Sequence, residues 1–190
     1  MKSYPYTIDN GQGERMTFLR VVRDTEGERV EGEMRAQPGA GPPMHVHKFQ
    51  EEAMQVVVGR LGYQVLGHEP TFAGPGELAI FAPGVPHKWW NAGDVELRAT
   101  GWAKPPDNIE FFLGAIFASQ KITGTKRPAL FDAAFLLRRY RSEFTMLEIP
   151  APVQRFVFPF LVLIGRLLRK YDKFKDAPAP ISRSEAHARR

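Results

Sequence analysis

Two short stretches carry most of the side chains that could do chemistry. In the first, between Gly39 and Gly59, His45 and His47 stand two apart and are followed by Glu51 and Glu52. On an extended strand residues two apart share a face, so these imidazoles aim at one point. A turn at residues 48–51 can bring a carboxylate to that point. Glu52 shares parity with Met54, Val56 and Val58, which favours it over Glu51 as the inward acid; a bulge would reverse the choice. In the second stretch, between Gly76 and Asn91, His87 follows a tight turn at Pro83-Gly84 at the mouth of another strand. Three neutral imidazoles and one carboxylate suit a divalent transition metal (Fe, Mn, Ni, Cu or Zn) and leave one or two positions open for water or substrate. If Glu52 loosens from the cation, it can instead act as a general base beside it.

Apolar and aromatic residues crowd these ligands in the sequence. Met54, Val56, Phe81 and Trp89 are the predicted substrate-pocket residues, and ordinary barrel core is the alternative for the tryptophans. His87 and Trp89 share strand parity, which turns Trp90 the other way. Such a lining favours a planar or lipophilic substrate over a sugar nucleotide. Asn91, before Ala92-Gly93, reads as a turn residue. His68 and His187 are assigned no role.

The elements that must position these residues are short strands. Alternating runs at Thr17–Arg23, Val30–Ala36, Ala53–Val58, Leu61–Leu66, Glu77–Phe81 and Val95–Trp102 are separated by Gly, Pro and Asn turns. Many short strands at regular spacing predict a sandwich or barrel. After Pro105-Pro106 the pattern turns helical. Asp107 to Glu110 has the spacing of an N-cap and its capping-box acid, with Phe112, Ala115, Ile116 and Ser119 on one face beyond it. A second helix is predicted over 128–143, and a third from Pro152 to about Tyr171, with Pro159 kinking it or marking its true start. The expected organisation is a barrel over 1–105, a helical extension over 106–175 packing on the barrel or a dimer partner, and a flexible basic tail over 176–190.

The two stretches resemble the motifs of the cupin superfamily. Gly39, His45, His47, Glu52 and Gly59 match the first motif in full; Gly76, Gly84, His87 and Asn91 match the second, with Ala82 where that motif has proline. The resemblance covers roughly residues 15–103. It implies a mainly β fold, a jelly-roll barrel (double-stranded β-helix) with a metal between its two sheets, followed here by helices. His45, His47, Glu52 and His87 are the metal ligands it implies. The alternative is a motif that survives as scaffold around an empty site. The family includes dioxygenases, decarboxylases, isomerases and plain binding modules, and fold does not choose among them.

The chain has 190 residues, 43% apolar and 25% charged, which excludes disorder as the main state. It has no cysteine, which excludes disulfides and thiolate ligands and fits a reducing compartment. The N-terminal residues lack an apolar run of signal-peptide length, so a cytoplasmic location is expected. The net charge of +5 gathers late in the chain and reads as a solvated helix face rather than a nucleic-acid surface. The apolar run Phe156–Ile164 is too short to span a bilayer and is expected against the barrel or a second subunit, giving a homodimer; a peripheral membrane contact, helped by Arg169 and Lys170, is the lesser alternative. The expected function is that of a metal-binding, dioxygenase-like oxidoreductase acting on an aromatic or enolic small molecule. The alternative is a non-catalytic small-molecule sensing module.

Overall fold

The computed structural model describes residues 3–25 and 27–182. Among the described residues, eleven strands form two antiparallel sheets that face one another. The first sheet orders β1 (Tyr6–Asp9), β2 (Glu14–Asp24), β3 (Gly27–Ala36), β10 (Leu97–Lys104), β5 (Glu51–Val58) and β8 (Leu78–Phe81). The second orders β11 (Phe144–Met146), β4 (His45–His47), β9 (His87–Asn91), β6 (Leu61–Val65) and β7 (Thr71–Ala73). Alternation along the strands sends Met34, Ala36, Met54, Val56, Leu61, Phe81, Trp89 and Leu97 into one apolar cluster. Asn91 ties the sheets together at one end. It is buried, its amide donates to the carbonyls of Ala36 (2.8 Å) and Val95 (2.7 Å), and its Oδ1 receives the Gly93 N–H.

All six predicted runs are present as strands, the His45–His47 and His87 stretches form β4 and β9, and β1, β7 and β11 add to them. The parity expected along β5 holds through Val56 but not at Val58, which is exposed. The pairing with β10 steps from Val56↔Ala99 to Val58↔Arg98, so one residue bulges out and reverses the faces beyond it. Glu52 lies before that bulge.

Helices α1 (Ile109–Thr123), α2 (Leu130–Arg139) and α3 (Phe158–Leu167) pack on a second apolar cluster. In it Phe18 and Val30 of the first sheet meet Phe112, Leu136, Tyr140, Phe144 and Phe158. α1 starts one residue later than the predicted capping box places it: Asn108, not Asp107, is the N-cap, and it makes no side-chain cap. Its amide donates instead to Glu143 Oε1 (2.8 Å) and to the Ala179 carbonyl (2.9 Å). Glu110, predicted as the capping acid, accepts hydroxyl hydrogen bonds from Tyr4 and Tyr6. α2 stops at Arg139, short of the predicted 143, and the chain turns through Tyr140–Glu143 into β11.

Ahead of α3 the backbone forms a π-helical turn, Val153–Val157. Pro159 lacks an N–H and its ring crowds the carbonyl four residues back; the wider turn accommodates both. Of the apolar run expected to be covered, only Phe158 and Val162 are buried, together with Gly165. A Cβ at Gly165 would collide with the Tyr171 ring, so that close approach needs glycine. Phe156, Val157, Phe160 and Leu163 stay exposed on this chain. The part of the predicted tail that is described, 176–182, is tied down. Pro178 O accepts from the Tyr140 hydroxyl and the Arg139 guanidinium, and the Ile181 N–H donates to Glu143. Residues 183–190, including His187, lie outside the described residues.

Candidate metal centre

The short strands of the second sheet bring the histidines together. His45 on β4 pairs directly with His87 on β9, so their side chains leave the same face side by side, and His47 follows two residues on. Ring centroids lie 4.5 Å apart for His45–His87 and 4.9 Å for His45–His47. The turn at Gly84, where φ is +80°, aims its N–H at the His47 carbonyl (2.7 Å) and fixes the approach to β9. Glu52 reaches in from β5 on the opposite sheet. Its Oε2 lies 3.2 Å from the Nε2 atoms of His47 and His87 and 3.9 Å from that of His45. One ligand atom from each of the four residues falls within 4.8 Å of all the others.

The proton positions decide what this arrangement can do. His45 Nδ1 lies 2.8 Å from the Pro43 carbonyl, and His87 Nδ1 lies 2.9 Å from the Val85 carbonyl. A carbonyl only accepts, so both Nδ1 atoms carry the hydrogen, and each neutral ring presents a bare Nε2 to the centre. Two bare nitrogens facing a carboxylate oxygen are acceptors against an acceptor. A cation among them turns that repulsion into coordination, and backbone carbonyls holding the far ring nitrogens are the usual outer support of metal-bound histidine. The donor set therefore fits a divalent transition metal.

Charge and burial agree with that reading. Burial, reinforced by the neighbouring His45 and His87, pushes the His47 pKa down to about 3 against the attraction of Glu52, so the ring is neutral near pH 7. Burial also pushes Glu52 up. The three imidazoles gathered around its carboxylate outweigh that and hold the carboxyl well below the usual carboxylate range. The centre is covered unevenly. The His87 side chain is 1% exposed, against 11% for His45 and 16% for Glu52, so the approach from outside lies along the His45–Glu52 edge.

Residues 32–101, which include all four of these side chains, match the family model for the cupin domain. The barrel is a cupin domain. The helices lie outside that match. Among solved structures, an uncharacterized conserved protein with a double-stranded beta-helix domain from Klebsiella pneumoniae subsp. pneumoniae is 22% identical; the match covers 55% of this chain and 82% of that one, with a TM-score of 0.41. A predicted oxalate decarboxylase from Thermotoga maritima is 18% identical, over 52% of this chain and 90% of that one, with a TM-score of 0.42. The oxalate decarboxylase of Bacillus subtilis, described with Mn(II) centers, is 17% identical, over 49% of this chain and 26% of that one, with a TM-score of 0.40. No curated protein matches this chain.

The other residues singled out in the sequence differ in their relation to this centre. Glu51 points away from it and accepts a hydrogen bond from the Trp102 indole (3.0 Å). Phe81 stacks flat on His87 with centroids 4.0 Å apart. Met54, Val56 and Trp89 are buried in the inter-sheet cluster that Phe81 joins, while Trp90 faces outward against Phe72. His68 is exposed. A cavity of about 380 Å³ opens elsewhere, lined by Tyr6, Ile8, Glu110 and Phe111 among others and by none of the four ligand residues. Sequence reasoning missed two residues that shape the centre. Phe144 on β11 packs edge-on against His47 at 5.4 Å. Glu143, fully buried, passes its carbonyl to the Lys48 N–H (2.7 Å). No local pattern announces either, because each acts through a partner nearly a hundred positions away.

Proposed function

We propose that this cupin is a metal-dependent small-molecule oxidoreductase of dioxygenase type, acting on an aromatic or enolic compound. The observation that carries the reading is the set of bare Nε2 atoms held on one carboxylate oxygen by the Pro43 and Val85 carbonyls. A divalent ion held by His45, His47, Glu52 and His87 supplies open coordination positions and Lewis acidity when bound. The chain's own residues do the rest. Phe81, stacked on His87, and the buried Met54, Val56 and Trp89 keep water from the inner side. The apolar setting favours a planar substrate whose oxygen atoms face the His45–Glu52 edge. Glu52, the least covered ligand, is the residue placed to take a proton from a substrate hydroxyl.

The test has two steps. Protein purified without chelator or affinity resin is assayed for bound metal. Iron- and copper-loaded samples are then assayed for oxygen consumption with diphenols, flavonols and diketones. Metal together with oxygen uptake on one of these classes supports the proposal; stoichiometric metal with no uptake on any of them removes the dioxygenase reading. One observation favours a second reading, a sensing module: β11 of the helical extension pairs with the ligand strand β4, so a change at the centre has a direct path to the helices. Thermal stabilisation by these compounds without product would favour that reading.

A further inference from the structure

The segment Val153–Leu167 is apolar on two faces. One is used: Phe158, Val162 and Gly165 are buried. The other carries Phe156, Phe160, Leu163 and Leu167, spaced four, three and four residues apart along one side of the helix. These side chains are 66%, 62%, 57% and 77% exposed. Single exposed apolar residues are ordinary, but an aligned set of four large ones marks a contact surface.

We propose that this face docks on an anionic membrane surface, with the segment lying in the plane of the interface. Its charges select that partner. Between residues 153 and 175 the chain carries Arg155, Arg166, Arg169, Lys170, Lys173 and Lys175; Arg169 is paired with Asp172 (3.1 Å) and Lys173 with Asp132 (2.6 Å). All six cations are exposed, and Arg155 lies over the Phe156 ring at 5.4 Å, its stem along the apolar surface and its charge at the rim. A second copy seated on the same face would bring Arg155, Arg166 and Lys170 against their own copies. An anionic lipid surface neutralises them while the phenyl and leucyl side chains enter the boundary of the acyl chains. No helix among the described residues is long and apolar enough to cross a membrane, so the segment lies on the surface. The metal centre plays no part in this, and the proposal stands apart from the catalytic reading.

The full-length protein is sedimented with vesicles of phosphatidylcholine alone and of phosphatidylcholine with phosphatidylglycerol. The expected result is binding to the anionic vesicles only, weakened in high salt, where the screening length falls to ~3 Å. The pair Phe160→Ser and Leu163→Ser is expected to lower partitioning on the order of tenfold or more, and so is the pair Arg166→Glu and Lys170→Glu. All four side chains are exposed, so both double variants keep the thermal midpoint of the parent, which is checked in the same preparation. Three outcomes overturn the proposal: no binding of the parent to anionic vesicles; binding that both double variants retain; or a dimer in light scattering that the serine pair dissociates while the parent ignores vesicles. The last assigns the face to a second copy.

Discussion

The two sheets of the barrel are built differently. The first rests on long strands, with 11 residues in β2, 10 in β3 and eight each in β5 and β10. The second has strands of three to five residues. Yet the long-strand sheet supplies one ligand, Glu52, and the short-strand sheet supplies three. β4, which carries two of them, shares one register pair with β9 and three with β11: Phe144↔His47, Thr145↔Val46 and Met146↔His45. β11 belongs to the helical extension, well past residue 101 where the cupin match ends. A strand of three residues has little ladder of its own, so the ligand wall depends on a segment that arrives late in the chain.

The comparison is broken most severely at the ligands. His45→Ala and His87→Ala each remove a donor and leave a buried carboxylate with fewer partners. Metal affinity is expected to fall on the order of 100-fold or more, read by elemental analysis after dialysis against a defined metal buffer. Acid acts in the same direction. In the metal-free protein the unfolded His47 takes up a proton near 6.5 and the folded one only near 3, so stability falls as pH drops through that interval. Glu52, held below the carboxylate range, contributes stability above about 4.5 that is lost on further acidification. Thermal midpoints of chelator-treated protein across pH check both signs.

Next in size is Phe144→Ala. Phe144 is buried, stacks on Phe112 with centroids 4.4 Å apart and meets the His47 ring edge-on. Its truncation is expected to cost about 3–5 kcal/mol in denaturant unfolding. It should also lower metal affinity, because His47 Nδ1 has no hydrogen-bond partner and the ring leans on packing for its orientation. A loss of stability with unchanged metal affinity would show that the short-strand sheet holds its ligands without the extension.

Half of this contrast was legible in the sequence. Period-two spacing places His45 and His47 on one face, and parity with Met54 and Val56 selects Glu52, because all these positions lie on uninterrupted strand. The parity rule fails at Val58, where a bulge intervenes that the run of three valines does not signal. β11 was illegible for a different reason. Phe144-Thr145-Met146 is too short to show a period, follows a helix, and is a strand only because β4 lies beside it. The same holds for Glu110. Its spacing suits a capping box, but Tyr4 and Tyr6, a hundred residues earlier, take its carboxylate. Long-range pairing overrode local pattern at each miss.

Glu143 sharpens the comparison further. Its carboxylate is fully buried and accepts from the Asn108 side chain (2.8 Å), the Asn108 N–H (3.3 Å) and the Ile181 N–H (2.9 Å). Burial raises its pKa, and the hydrogen bonds from Asn108 and Ile181 pull back only part of the rise. The sign is therefore opposite to that of the metal centre. Folding favours the protonated form, and stability is lost as pH climbs from about 4.5 through the folded value. Glu143→Gln sets an amide donor against one of these N–H groups. It should cost about 1–3 kcal/mol, a fall of roughly 2–4 °C in thermal midpoint for each kcal/mol in a chain of this size. The variant should also lose the alkaline limb while keeping the acid one. An unchanged alkaline limb would place the responsible group outside this latch.

The smallest effect belongs to the outer face of the long-strand sheet. Ile80 on β8 is exposed on the outer face, the face it shares with Ala53, its direct partner on β5 in a ladder four register pairs long. Ile80→Ser removes apolar surface already in water and leaves every backbone bond in place. Its cost should stay within about 0.5 kcal/mol, with metal affinity unmoved. Phe81, the next residue, points inward and stacks on His87, so two adjacent positions test opposite faces of one strand. If Ile80→Ser released metal, the long-strand sheet would be as yielding as the short one, and the rigidity ascribed to its ladder would be misplaced.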